Sequence, residues 1–240
     1  MPQNVRVRGQ YERRIDFRSM SVAIQHIQDS RKWEPQEPAE PITKEKTLII
    51  FDWDDTLLCS SWLAANGYGP RGEGPITSVQ AEAGAILATY TRNALVTAMR
   101  LGRVVIVTNG TQGWIERSCA IFMPSVSPLL PLITVVSAQA RYKGVFTSTM
   151  MWKRWTFSDV YQASFAGMEG PFNILSIGDG VDEEQAVHRL NGLTHKNLTK
   201  SVKLKSSPSA VDLMVQLKEI ADGLPSLVSC GAVCNLKVEV

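Results

Sequence analysis

Short, continuously apolar runs recur through the middle of the chain, each followed by polar residues and then by a longer stretch of helical periodicity. "KTLIIFD" (46–52) predicts a buried strand. "SVQAEAGAILATYTRNALVTAMRLG" (78–102) predicts a long helix, with Ala83, Ile86, Leu87, Tyr90, Leu95 and Met99 near helical spacing and Gly102 as its stop. "RVVIVTN" is a second strand, "GWIERSCAIFM" a helix and "PLITVVSA" a third strand. A helix around "WKRWTFSDVYQASFAG" leads to a fourth strand, "FNILSIGD". "EEQAVHRLNG" is helical, "KSVKLK" reads as an edge strand, and "SAVDLMVQLKEIADG" closes the pattern with a helix. Strands that are apolar throughout belong to a sheet covered on both faces, and their alternation with helices implies parallel crossovers. The expected fold is therefore α/β, a doubly wound, Rossmann-like parallel sheet.

Either side of this pattern the reading changes. Residues 1–42 read as an extension: a short amphipathic helix in "SMSVAIQHIQDS", then Pro35, Pro38 and Pro41 alternating with Glu34, Glu37 and Glu40, a spacing that suits an extended spacer. Residues 43–226 form the expected core, and 227–240 a tail.

Composition narrows the class. A 240-residue chain with 44% hydrophobic and 20% charged residues is an ordinary globular protein. A net charge of +2 is too mild to imply a nucleic-acid or membrane-surface partner. No run reaches the length of a membrane span, and the arginine-rich start lacks the apolar centre of a secretory signal, so a cytoplasmic location is expected. Four cysteines are too few for a disulfide scaffold. Cys230 and Cys234 read as a thiol pair in the tail rather than as a zinc site.

The chemistry gathers where the strands end, since ligands of such sheets bind beyond the carboxyl ends of the strands. After "LIIF" come Asp52, Trp53, Asp54, Asp55 and Thr56; after "VVIV" come Thr108, Asn109 and Gly110; after "ILSI" come Gly178, Asp179 and Gly180. Three acids within four positions repel one another unless something positive lies between them. A calcium loop is excluded, because its sixth and twelfth positions would be Leu57 and Leu63. Phosphate-loop, nucleophile-elbow and dinucleotide motifs are missing too. Alternation in an extended segment puts Asp52 and Asp54 on one side and Trp53 on the other. Two such carboxylates can divide labour, one attacking phosphorus and the other moving protons, with Mg2+ between Asp52 and Asp179 to offset the negative charge.

"DWDDT" resembles the Asp-x-Asp-x-Thr signature of the haloacid dehalogenase superfamily, and "VVIVTN" and "SIGDGVDEE" resemble its second and fourth motifs over about residues 45–220. More narrowly, "IIFDWDDTLLCSSWL", "VVIVTNGTQGWIERSC", "VVSA" and "WKRWTF" are similar to a group of such proteins from protists and algae. The resemblance implies a Mg2+-dependent phosphatase. In it Asp52 would be the nucleophile that forms an aspartyl-phosphate, and Asp54 the general acid and base whose main-chain carbonyl also binds the metal. Thr108 would hold a phosphate oxygen with the amides of Asn109 and Gly110, and Asp179 would be a further metal ligand. Lys153 in "MWKRWTF" best matches the family lysine, with Lys143 the alternative. Within the run Asp182, Glu183 and Glu184, Glu183 best fits the spacing of the supporting metal ligand, with Asp182 beside it.

Family caps are inserted between the motifs, and here the gaps hold little more than "NGYGPRGEGP" and single elements. A minimal cap resembles that of members acting on large substrates, so a phosphorylated protein is the expected subtype of substrate and the glycine loop a flap or a connector. Rival readings are phosphoryl transfer to an acceptor other than water, a receiver domain, and a non-catalytic binding module that kept the fold. The sequence leaves the oligomeric state open.

Overall fold

The computed structural model describes residues 12–15, 43–68, 74–191 and 197–238. In chain order the elements are β1 (Glu12–Ile15), β2 (Thr47–Phe51), α1 (Ser60–Ala65), α2 (Ser78–Leu101), β3 (Arg103–Thr108), α3 (Trp114–Phe122) and β4 (Thr134–Ser137). They continue as α4 (Ala138–Tyr142), α5 (Thr149–Ser164), β5 (Asn173–Gly178), α6 (Val181–Asn191), β6 (Leu198–Lys203), α7 (Ala210–Ser229) and β7 (Cys234–Val238).

All the pairings are parallel, and the sheet order is β1-β7-β6-β5-β2-β3-β4. The fold is the expected doubly wound α/β sheet. From β2 the chain winds outward through β3 to β4, then crosses back to lay β5 on the other side of β2. That reversal opens a crevice at the carboxyl ends of β2, β3 and β5.

Why the central strands are apolar throughout is visible in their alternation. Ile49 and Phe51 join one core with α2, α3 and α7; Leu48 and Ile50 join another with α5 and α6. Val104 and Ile106 divide from Val105 and Val107 in the same way. Each strand face is thus buried, and the site residues leave a rigid platform. Thr77 and Gln80 form a capping box that starts α2, and Ser209 and Asp212 do the same for α7.

Three boundaries differ from expectation. The expected tail, 227–240, is structured as far as 238: α7 runs through Gly223 and Pro225 to Ser229, and β7 then joins the sheet. The reason is the alternation of "CNLKV", which buries Cys234, Leu236 and Val238 against the core. Cys230 and Cys234 are accordingly buried thiols, not joined by a disulfide. Consequently β6 is not an edge strand, since β7 and β1 lie outside it. Finally, the segment taken as an extension contributes β1, paired with β7 from Glu12↔Asn235 to Ile15↔Val238. The amphipathic helix and proline-rich spacer expected within residues 19–41 lie outside the described residues, as do 69–73 of the glycine loop. Among the described residues, no helix is long and apolar enough to cross a membrane.

Candidate active site

The backbone N–H of Asp52 donates to the Ile177 carbonyl at 2.9 Å, so the β2–β5 ladder runs one residue beyond Phe51 and fixes Asp52 at the lip of the crevice. Its Oδ1 accepts from Trp53 N–H at 2.7 Å and from Lys153 Nζ at 2.8 Å. Lys153 comes from the first turns of α5 and is buried, 1% exposed. The same ammonium pairs with Glu183 of α6, itself buried. The lysine that the structure brings to Asp52 is therefore Lys153. Lys143, just after α4, is exposed.

One ammonium bonds both carboxylates but neutralises only one of the two buried negative charges. Burial drives the Asp52 carboxyl well above its ordinary pKa; Lys153 opposes this, while Glu183 and Asp54 add to it. Burial also works against charge on Glu183, but Lys153 outweighs it and the glutamate lies below its ordinary value. Lys153 is disfavoured by burial yet raised by Asp52 and Glu183 together. The two carboxylates thus share one ammonium, and this buried cluster carries one negative charge in excess of it.

Glu183, expected to support a metal, pairs with Lys153 through Oε1. It reaches that position by packing over glycines: a Cβ at Gly178 would lie 2.5 Å from its Cγ, and one at Gly180 2.5 Å from its Oε2. Its Oε2 is buried without a hydrogen-bond partner. Asp182 points elsewhere, accepting from Thr149 Oγ1 at 3.2 Å and so tying α6 to α5.

Asp54 is held at both oxygens. Trp114 Nε1 donates to Oδ1 at 2.9 Å and Thr108 Oγ1 to Oδ2 at 3.1 Å. Thr108 ends β3, and its hydroxyl also accepts from Gly110 N–H at 2.8 Å. The Gly110 amide, expected to face a phosphate, here donates to Thr108, whose hydroxyl in turn donates to Asp54. Asn109 Oδ1 is buried without a partner. Trp114 was not foreseen. The one signal was Gly110, where a Cβ would lie 2.6 Å from the indole and keep it from Asp54.

The third acid of the run has a different task. Asp55 sits at φ +53°, a left-handed conformation that aspartate tolerates better than most residues. Its Oδ1 accepts from Ser61 N–H at 2.9 Å, which ties it to the first turn of α1, and from Ser60 Oγ at 3.4 Å. Asp179, one residue past β5, has its carboxyl pushed up to about 6 by burial first, then by Glu183 and Asp55, with Lys153 opposing.

Around the crevice, then, Lys153 pairs with Asp52 and Glu183 and acts at longer range on Asp179, while Asp54 and Asp55 add negative charge beside them. Among the described residues, no group of three or more His, Cys, Asp or Glu side chains is arranged to hold a metal. Magnesium does not require one, because it keeps several waters and takes one or two carboxylates. The all-oxygen surroundings and the crowded carboxylates of Asp52 and Asp179 fit a hard divalent cation. Comparison with family models, with curated proteins and with solved structures finds no match.

Proposed function

We propose that this protein is a Mg2+-dependent phosphomonoester hydrolase of the haloacid dehalogenase type, working through an aspartyl-phosphate on Asp52. The observation that carries the reading is the buried lysine between Asp52 and Glu183 at the carboxyl ends of the central strands. A structural ion pair alone has no need of a second carboxylate beside it, and burying one without a partner costs stability.

Lys153 and the Trp53 amide both take Asp52 Oδ1, which leaves Oδ2 to attack phosphorus. As the Asp52–phosphorus bond forms, the ester P–O bond breaks and Asp54 gives a proton to the departing oxygen. Asp54 then takes a proton from water, whose oxygen attacks phosphorus and releases inorganic phosphate and the free carboxylate. Trp114 and Thr108 keep the Asp54 carboxyl in one plane during both transfers. Lys153 holds the nucleophile against rotation and offsets negative charge as it accumulates. Asp52, Asp179 and the Asp54 main-chain carbonyl would hold magnesium, which neutralises the phosphoryl oxygens when bound.

The test uses the purified chain with magnesium and p-nitrophenyl phosphate. Phosphate release that Asp52→Asn abolishes supports the assignment, whereas full activity in that variant removes Asp52 as nucleophile. Calorimetry that detects neither magnesium nor a phosphate mimic would favour a binding module instead. Phosphate moved to an alcohol rather than freed would make the protein a phosphotransferase.

A further inference from the structure

A cavity of about 510 Å3 opens beside Asp54. Asp54, Gly110, Trp114, Tyr68, Gln139 and Arg117 are among the residues that line it. It touches the proton-transferring acid of the proposed reaction, and Asp52 is not among its lining residues. The cavity is thus placed to receive the half of a phosphomonoester that leaves with Asp54's proton. Its volume is that of a pocket for a small organic molecule.

The chemistry of the walls says more. Tyr68 is buried, 3% exposed, and fixed edge-on to Phe122 with ring centroids 4.7 Å apart, so one wall is rigid and aromatic. Among the described residues that line the cavity, Arg117 is the one cation. Its guanidinium lies over the start of α3, where Nη1 meets the Gln112 carbonyl at 3.5 Å, a weak contact. It is also close enough to Tyr68 to oppose the burial that raises the phenol. An exposed arginine on a helix ordinarily serves solubility. This one lines the same cavity as Asp54, and its planar fork of donors suits a carboxylate or phosphate.

We infer that the substrate is a small organic phosphomonoester whose alcohol half carries a second anionic group, a carboxylate or another phosphate, bound by Arg117. This rests on the phosphatase reading of the same site. It shifts the expected subtype from a phosphorylated protein to a small molecule, because the leaving half is received in a half-open cavity whose volume suits a small organic group.

The experiment compares phenyl phosphate with 4-carboxyphenyl phosphate, with magnesium, in the full chain and in its Arg117→Ala, Arg117→Lys and Arg117→Glu variants. Expected is a preference of about tenfold in kcat/KM for the carboxylated ester in the parent protein, the size of one charged hydrogen-bonded contact. Arg117→Ala should bring the ratio near unity, chiefly through KM; Arg117→Lys should retain part of it, and Arg117→Glu should reverse it. Equal use of both esters, or a ratio that Arg117→Ala leaves intact, would overturn this inference while the phosphatase reading stands. A phosphopeptide turned over faster than either ester and indifferent to Arg117 would overturn it too. Release of phosphate from none of them would overturn both.

Discussion

At the scale of the residue, the short stretch Asp52 to Asp55 gives three identical side chains three different fates. Asp52 meets a buried ammonium, Asp54 an indole and a hydroxyl, and Asp55 the first turn of a helix. The sequence shows that these acids need positive partners. Which partner each receives depends on side chains between 5 and 101 positions away, from Ser60 to Lys153. Trp114 is the sharpest case, because an indole in a helix reads as core until its N–H is seen against a carboxylate. Trp114→Phe keeps the ring and removes the donor. We expect kcat on p-nitrophenyl phosphate to fall by about tenfold, with stability changed by no more than about 1 kcal/mol. Parallel urea melts and steady-state kinetics check this, and unchanged kcat would release Trp114 from any part in positioning Asp54.

At the scale of the element, the central strands and long helices follow directly from hydrophobic periodicity, whereas the end of α7 does not. Glycine and proline at 223 and 225 argue for an earlier stop, and Pro225 removes an N–H from the ladder. What holds the last turn is tertiary: Lys200 of β6, buried, donates from Nζ to the carbonyls of Leu227 at 2.7 Å and Val228 at 3.2 Å. An ammonium at a helix C-terminus meets both orphaned carbonyls and the negative end of the dipole. Burial lowers the Lys200 pKa to about 8, with Cys230 and Cys234 opposing. Between that value and the ordinary lysine range the unfolded chain binds more protons than the folded one. Stability therefore gains from this group as pH rises from about 8 to about 10.5. Urea melts at pH 7.5 and pH 10 should show the parent protein gaining on Lys200→Met across that window. A difference independent of pH would mean that the lysine titrates alike in both states.

At the scale of the whole molecule, the sheet extends past the core that repeating strand and helix patterns outline. β7 and β1 add two parallel strands beyond β6, and β7 covers an edge that would otherwise offer unpaired backbone groups. Removing residues 230–240 uncovers that edge and deletes the buried side chains of Cys234, Leu236 and Val238. The expected cost is at least about 4 kcal/mol, or a fall in Tm of about 10 °C, together with self-association. Thermal melts and size-exclusion chromatography of the truncated chain check it. A truncated chain that melts as the parent does would make β7 dispensable.

Sequence alone determined the layered α/β class, the parallel winding and the lip on which the acids gather, because apolar runs and helical periods are local patterns that few folds accommodate. For the lysine the sequence offers both Lys153 and Lys143, and the tertiary structure brings the first of them to Asp52 and Glu183. Tertiary structure decided that Glu183 serves the lysine, that Thr108 and Gly110 serve Asp54 and each other, and that an arginine walls the cavity beside them. These are matters of which side chain meets which across strands and helices distant in sequence. Burial decides them too, by setting how strongly each charge must find a partner, and neither is written in the spacing of residues along one chain.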